Sequence, residues 1–192
     1  MELEIREEPA SQLGDHARVP IAFEVERVLE VRLREAGLAG FELIERPLAT
    51  PYPKDYDALP GNHPTEWPRR FDVSSWVLLS AWLAGRRVGG AVVAFRTPAL
   101  SLLDGRSDLA LLWDLRVALG VRRRGVGSAL FAATEQWAAA RGCRQLKVET
   151  QSINVPACRF YASRGCELGG VRRFAYPDLP EETQLLWYKD LA

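Results

Sequence analysis

The segment most suited to chemistry spans residues 117–129, Val-Ala-Leu-Gly-Val-Arg-Arg-Arg-Gly-Val-Gly-Ser-Ala. Arg122, Arg123 and Arg124 bring three guanidinium groups, and Gly125 and Gly127 let backbone come close to an anion. Val126 and Ser128 then open a helical pattern. The first N–H groups of a helix lack intrahelical partners and carry partial positive charge, so this arrangement suits a phosphate or pyrophosphate. No Gly-Lys-Ser/Thr occurs here, which excludes a P-loop, and no G-x-G-x-x-G, which removes support for a dinucleotide fold. Asp114 and Glu149 are the two acids on strand-like segments near the centre of the chain's predicted sheet. Three roles are open to each: a base relaying a proton through water, a fixed anion for a cationic substrate, or a structural partner of Arg116 or Lys147.

These residues must be placed by regular elements. The stretch 2–7 alternates and reads as a short strand, while 23–33 suits helix and strand alike. Five prolines fall within residues 50–70, together with Tyr52, Tyr56 and Trp67. That density predicts an irregular loop, ordered by its aromatic side chains. Apolar runs at 75–83 and 88–95 flank Ala84-Gly85-Arg86-Arg87, the pattern of a β-hairpin. A polar connector over 98–108 leads to a third strand at 109–117. Val126, Leu130, Ala133 and Trp137 recur at helical spacing and Gly142 follows, predicting a helix over 125–140. A strand at 146–150 precedes a second helix over 154–163, with Asn154 as N-cap, Pro156 in the first turn and Gly165 beyond the end. Residues 167–176 and 183–189 read as closing strands. The alternation implies a mixed α/β sheet.

Two motifs in this frame resemble one family. Arg122-x-x-Gly125-x-Gly127 after a strand is similar to the acyl-coenzyme-A loop of the GNAT N-acetyltransferases. Asn154-Val-Pro-Ala157-Cys-Arg-Phe160-Tyr161-Ala-Ser-Arg-Gly165-Cys166 resembles the family's Asn-x-x-Ala-x-x-Phe-Tyr-x-x-x-Gly-Phe helix, with Cys166 replacing the final Phe. With Trp113-Asp-Leu-Arg-Val117 the likeness covers about residues 75–190. Several patches resemble the streptothricin-acetyltransferase branch: Val148-Glu149-Thr150-Gln151-Ser152-Ile153-Asn154, Leu168-Gly169-Gly170, Leu186-Trp187-Tyr188, Phe23-Glu24-Val25-Glu26, and Tyr52 with Lys54-Asp55-Tyr56-Asp57.

The resemblance implies a single-domain GNAT fold: a mixed sheet of about six to seven strands flanked by helices, with a V-shaped splay between the two central strands. It implies acetyl-coenzyme A as cosubstrate, no metal, and direct transfer of the acetyl group to an amine. Tyr161 becomes the general acid for the leaving thiolate. The backbone of Leu115, Arg116 and Val117 would pair with the pantetheine amides across a bulged strand. Arg122, Arg123, Arg124, Gly125, Val126, Gly127 and Ser128 would hold the phosphates. Asn154 would bond the cofactor arm or cap its helix. Ala157 and Phe160 complete the cofactor-contacting set, Phe160 chiefly by packing. The acceptor is expected to be a small cationic amine, a streptothricin-like antibiotic among the options. A protein N-terminus or lysine is the alternative, and a non-catalytic acyl-coenzyme-A-binding module is a second.

Composition bounds the rest. The chain has 192 residues, a size suited to one domain, and 47% hydrophobic residues, enough for a sizeable core. Three cysteines, none in a C-x-x-C pair, and two histidines exclude a disulfide framework and a zinc site. The beginning of the chain lacks the pattern of a secretory leader, and no long apolar span suggests a membrane segment, so a soluble, cytoplasmic monomer or homodimer is expected. The single arginine run has no aromatic interleaving, and nucleic acid is not an expected partner. The net charge is zero. Residues 1–72 nevertheless carry 15 acids against 9 bases, and residues 73–192 carry 10 against 16. This predicts an acceptor side at 1–72, including the proline-rich 50–70, and an acetyl-coenzyme-A-binding core at 73–192.

Overall fold

The structure, a computed structural model, describes residues 2–191. In chain order they form β1 (Leu3–Glu8), α1 (Leu13–Ala17), β2 (Phe23–Leu33), β3 (Phe41–Lys54), α2 (Trp67–Arg70), β4 (Val77–Leu83), β5 (Arg86–Ala94), β6 (Leu109–Val117), α3 (Val126–Ala140), β7 (Gln145–Gln151), α4 (Val155–Ser163), β8 (Glu167–Arg172) and β9 (Gln184–Asp190). Short 3-10 turns interrupt the connections. The fold is α/β, as its alternation predicts.

The chain falls into two compact units that alternate along the sequence. The first contains the chain up to residue 22, residues 55–147 and the segment from residue 190 onward; the second contains residues 23–54 and 148–189. Residues 2–22 belong with the first unit because β1 pairs antiparallel with β4, Leu3 opposite Leu83.

In the first unit the strand order is β1-β4-β5-β6, all antiparallel. Ala84 and Gly85 both take positive φ, 49° and 74°, so the β4–β5 link is the tight mirror-image turn that suits the twist of a hairpin. β6 carries a bulge: Val92 faces Asp114 and Val93 faces Leu112, which leaves Trp113 as the extra residue. Trp113 packs with Trp67, Phe71 and Trp76, at ring-centroid distances of 6.0, 5.5 and 5.7 Å. Of the aromatics in the proline-rich segment, Trp67 is buried and packs as expected, whereas Tyr52 is exposed.

The glycines of β5 set how closely other elements approach. A Cβ on Gly89 would lie 2.8 Å from the Arg116 carbonyl and 3.3–3.4 Å from Leu130 and Val126, so the bare backbone is what admits the start of α3. A Cβ on Gly90 would lie 2.5 Å from His16 Nδ1, so that glycine makes room for a fully buried imidazole.

In the second unit β2 and β3 form a two-stranded sheet, and β9 lies between β7 and β8. The strand reading of 23–33 holds. Regular structure extends further into the proline-rich stretch than expected: β3 continues through Pro51 and Pro53 to Lys54. Among the described residues β3 pairs in its sheet with β2 alone, and on its other edge a missing N–H costs no ladder bond. The register slips from Val25–Tyr52 to Arg27–Pro47, so residues 48–51 bow out of the ladder. β8 ends at Arg172, short of the expected 176, and Pro177 and Pro180 lie in the connection that follows.

Candidate functional site

The first unit contains the arginine–glycine loop that precedes α3. Past the end of β6 the chain makes a 3-10 turn over Leu119–Val121, then Arg123 and Gly125 adopt positive φ, 62° and 85°. This turns the chain into α3 with Gly125 as N-cap. No side chain caps α3 and no acid occupies its first turn, so the leading amides of Val126, Gly127 and Ser128 are left for an outside acceptor. A Cβ on Gly125 would meet nothing within 4 Å, so the approach to those amides is open. Arg123 and Arg124 are exposed and make no ion pair among the described residues.

The three arginines are not equivalent. The Arg122 guanidinium donates through Nε to the Val117 carbonyl at 2.9 Å and through Nη2 to the Ala22 carbonyl at 3.4 Å. Burial lowers its pKa below the usual arginine value. Its side chain therefore braces the loop, whereas those of Arg123 and Arg124 are exposed. The Val117 carbonyl is correspondingly engaged, while the side chain of Leu115 remains half-buried.

The side chains of Arg116 and Asp114 on β6 are engaged with each other and with their neighbours. Arg116 is 2% exposed and all of its N–H donors are spent. Nε and Nη2 bond the Asp114 carboxylate at 2.9 and 2.6 Å, Nη1 and Nη2 bond Asp57 at 2.9 and 3.1 Å, and Nη1 also reaches the Val19 carbonyl at 3.2 Å. Its side chain cannot touch a cofactor; only its backbone can. Asp114 is buried as well, and its Oδ1 lies 2.7 Å from His16 Nε2. Burial alone would raise the Asp114 carboxyl, but the Arg116 charge overrides it and holds the group far below the usual carboxylate range. A buried carboxylate with a bidentate guanidinium partner favours its ionised form and is poorly suited to accept a proton at neutral pH. Of the three roles open to Asp114, pairing with Arg116 is the one the geometry displays.

In the second unit Glu149 does not pair with Lys147, which bonds Asp104 at 2.8 Å. Glu149 is half-buried on β7. Its Oε1 accepts from Gln184 Nε2 at 2.8 Å and from the Tyr176 hydroxyl. Tyr176 in turn accepts from Gln151 Nε2 at 3.1 Å. Burial and the adjacent Glu149 charge push the Tyr176 phenol well above its ordinary pKa, so it remains a donor. Both donors to Glu149 are neutral, and among the described residues no cation pairs with it. Tyr176 and Gln184 were not legible as site residues. They come from the β8–β9 connection and β9, some 27 and 35 positions away.

Helix α4 is placed as the sequence predicts. Asn154 Oδ1 accepts from the Ala157 amide at 3.2 Å, so the cap role is filled. Tyr161 is buried and its ring meets Phe160 edge-on at 5.2 Å; Phe160 is half-buried. The three cysteines are buried, and burial raises the Cys143 thiol and lifts Cys158 to about 11. Neither offers a thiolate nucleophile at neutral pH. Among the described residues no group of His, Cys, Asp and Glu could hold a metal ion.

The acetyltransferase (GNAT) family profile matches residues 41–166, which contain β6, the arginine loop, α3 and α4. The chain belongs to the GNAT family. This GNAT protein is 38% identical over 85 residues to the streptothricin acetyltransferase of Escherichia coli, a match covering 43% of this chain and 49% of that one. It therefore spans about half the length of that curated relative. The crystal structure of nourseothricin acetyltransferase superposes with a TM-score of 0.77 at 22% identity, covering both chains completely, a likeness of fold. A Bacillus anthracis protein solved with acetyl coenzyme A superposes with a TM-score of 0.75 at 25% identity, over 98% of this chain and 99% of that one. Over these stretches the GNAT chain is similar to streptothricin acetyltransferases. No helix among its described residues is long and apolar enough to cross a membrane.

Proposed function

We propose that the protein transfers the acetyl group of acetyl-coenzyme A directly to a primary amine of a small cationic molecule, with streptothricin-like antibiotics as the leading acceptor class. The observation that carries the acceptor class is Glu149: a half-buried carboxylate fixed by two neutral donors and lacking a cationic partner among the described residues. Such a group is stabilised by an incoming ammonium, and Tyr176 and Gln184 hold it in one orientation while leaving its charge unneutralised.

The remaining roles follow from what each group can offer. The uncapped amides of Val126, Gly127 and Ser128, with Arg123 and Arg124, suit the phosphates of the cosubstrate. The backbone of Leu115, Arg116 and Val117 beside the Trp113 bulge suits the pantetheine amides, and one N–H there suits the charge that develops on the thioester oxygen. An acceptor amine with a reference pKa near ~10.4 must lose a proton before it attacks. Glu149 binds the cationic form, and the proton leaves to water. The Tyr161 hydroxyl supplies a proton to the departing thiolate and is restored by the second proton that the acylated nitrogen sheds. The buried, high-pKa thiols of Cys143 and Cys158 fit direct attack rather than an acyl-enzyme.

Thiol release from acetyl-coenzyme A is the test, with streptothricin, an aminoglycoside, an N-terminal peptide and a lysine peptide as acceptors. Release with the polycationic antibiotics and not with the peptides is expected. Glu149→Gln keeps the shape and removes the charge, and should raise the KM for streptothricin about tenfold or more, the worth of a charge-assisted contact, with the KM for acetyl-coenzyme A unchanged. Release with the peptides alone would overturn the acceptor class. Tight cosubstrate binding without release for any amine would overturn the enzyme reading.

A further inference from the structure

One residue in excess separates the two halves of β6. Val93 faces Leu112 and Val92 faces Asp114, and Trp113 stands between them without an opposite number. Directly opposed residues of an antiparallel pair share a sheet face, so Asp114 lies on the face of Val92. Arg116, opposite Gly90, lies on that face too, where Gly90 makes room for His16. Trp113 packs on the same side: its ring meets Trp67 and Trp76, which belong with Val92 to one core cluster. Consecutive residues therefore share a face at 113–114, where a regular strand would alternate. Beyond the bulge every residue of β6 is displaced by one in phase. We propose that Trp113 is a positioning residue for the cosubstrate: its packing against Trp67, Phe71 and Trp76 fixes the phase of the second half of β6, and so selects Leu115 and Val117 as the residues that turn their backbone groups away from β5.

The backbone bonds give the phase directly. The Ala118 N–H donates to the Val88 carbonyl at 2.8 Å, so residues 118 and 88 form a hydrogen-bonded pair. Such pairs recur at every second residue of an antiparallel ladder. Asp114 and Arg116 therefore turn N–H and C=O toward β5, while Leu115 and Val117 turn theirs away. The Val117 carbonyl agrees, since it accepts from Arg122. A slip of one residue would reverse all four, and would carry Asp114 and Arg116 off the face of His16. The aromatic rings oppose that slip at the bulge itself. Trp113 meets Trp67 edge-on at 6.0 Å, Phe71 edge-on at 5.5 Å and Trp76 at 5.7 Å. Two of these rings are fixed in turn: Trp67 Nε1 donates to the Asn62 carbonyl at 2.8 Å, and Trp76 Nε1 to Thr97 Oγ1 at 2.7 Å. Trp67 opens α2 and Phe71 closes it, so the end of the proline-rich segment brings two of the three rings to the bulge. All of these residues lie in the first unit. The inference rests on the proposed role of the β6 backbone in holding acetyl-coenzyme A, and the phase argument is independent of that role.

The test compares Trp113→Ala, Trp113→Phe and Trp137→Phe with the unaltered chain. Trp137 packs edge-on against Phe95 at 6.1 Å, away from the bulge, so its variant reports a plain loss of core packing. Two readouts are used: amide hydrogen exchange along β6, and calorimetric titration with acetyl-coenzyme A. In Trp113→Ala, exchange at Asp114 and Arg116 should quicken about tenfold with α3 amides unchanged, and the Kd for acetyl-coenzyme A should rise about tenfold. Trp113→Phe keeps a ring at the bulge and should restore most of both. Trp137→Phe should lower Tm and leave the Kd within about twofold. A folded Trp113→Ala with unaltered exchange at Asp114 and Arg116 overturns the phase role, whatever the protein binds. Quickened exchange with an unaltered Kd overturns the link to the cosubstrate. An equal rise of Kd in Trp137→Phe makes Trp113 one packing residue among others, and overturns the proposal. If the unaltered chain binds no acetyl-coenzyme A, the cosubstrate reading falls and the exchange arm still decides the phase role. Should Trp113→Ala fail to fold, Phe71→Ala, which removes one half-buried ring from the same group, carries the test through both readouts.

Discussion

Asp114→Asn separates a structural carboxylate from a catalytic one. The substitution preserves shape and removes one negative charge from a buried cluster whose other members are Arg116, Asp57 and His16. Two contacts to Arg116, at 2.9 and 2.6 Å, lose their charge assistance. The new amide also offers a donor where both Arg116 and His16 need an acceptor. Breaking a buried pair costs about 3–5 kcal/mol, and because Arg116 keeps Asp57 and the Val19 carbonyl, the lower end, about 3 kcal/mol, applies. In a chain of this size each kcal/mol moves Tm by roughly 2–4 °C, so a fall of about 6–12 °C is expected at pH 7. The pH dependence provides an internal check. The folded carboxyl is held below its unfolded value of about 3.9, so its stabilisation is fully present above that pH and disappears as pH falls through the folded value. The gap in Tm between the two proteins should hold from pH 7 to about 5 and begin to close below about 4. Thermal melting followed by circular dichroism, run beside thiol-release kinetics, reads both properties. An unchanged Tm together with a kcat reduced about hundredfold would show Asp114 acting on substrate, and would refute the structural assignment.

Two further perturbations address the other half of the chemistry. Tyr161→Phe removes only a hydroxyl; kcat should fall about a hundredfold, the scale of general-acid catalysis, with acetyl-coenzyme A affinity preserved in a calorimetric titration, and an unaltered kcat would take Tyr161 out of the acid role. Gly125→Asp places a Cβ at a φ of 85° and a negative charge at the uncapped start of α3, and should weaken acetyl-coenzyme A binding by about tenfold or more. Gly125→Ala, which carries the strain without the charge, should lose much less, and equal losses in the two variants would mean the loop meets no anion.

The parts of this protein legible in one dimension are those whose physics is local. Val126, Leu130 and Trp137 share a helix face, Asn154 caps the turn that follows it, and Ala84-Gly85 closes a hairpin, each through neighbours a few residues away. The arginine–glycine loop is visible for the same reason: a strand end, two glycines and a helix start are consecutive. Pro51 and Pro53 argue against a strand by propensity alone, yet β3 contains both, since the harmlessness of a proline depends on the strand having an unpaired edge. The bulge at Trp113 was expected from family likeness and cannot be located without the register of β5 against β6.

Charge shows the boundary most clearly. The sequence by itself determined that residues 1–72 are acidic and residues 73–192 basic, and that Asp114, Glu149 and three consecutive arginines are the groups to watch. Only the tertiary structure decided which of those charges are free. Asp57 is spent on Arg116, Arg122 is spent on two carbonyls, and Asp114 is enclosed between Arg116 and His16, whereas Glu149, Arg123 and Arg124 carry no opposite charge among the described residues. The reason is physical: an ionic group's availability depends on partners and burial brought from up to about a hundred residues away, and neither quantity is a property of the segment that contains it.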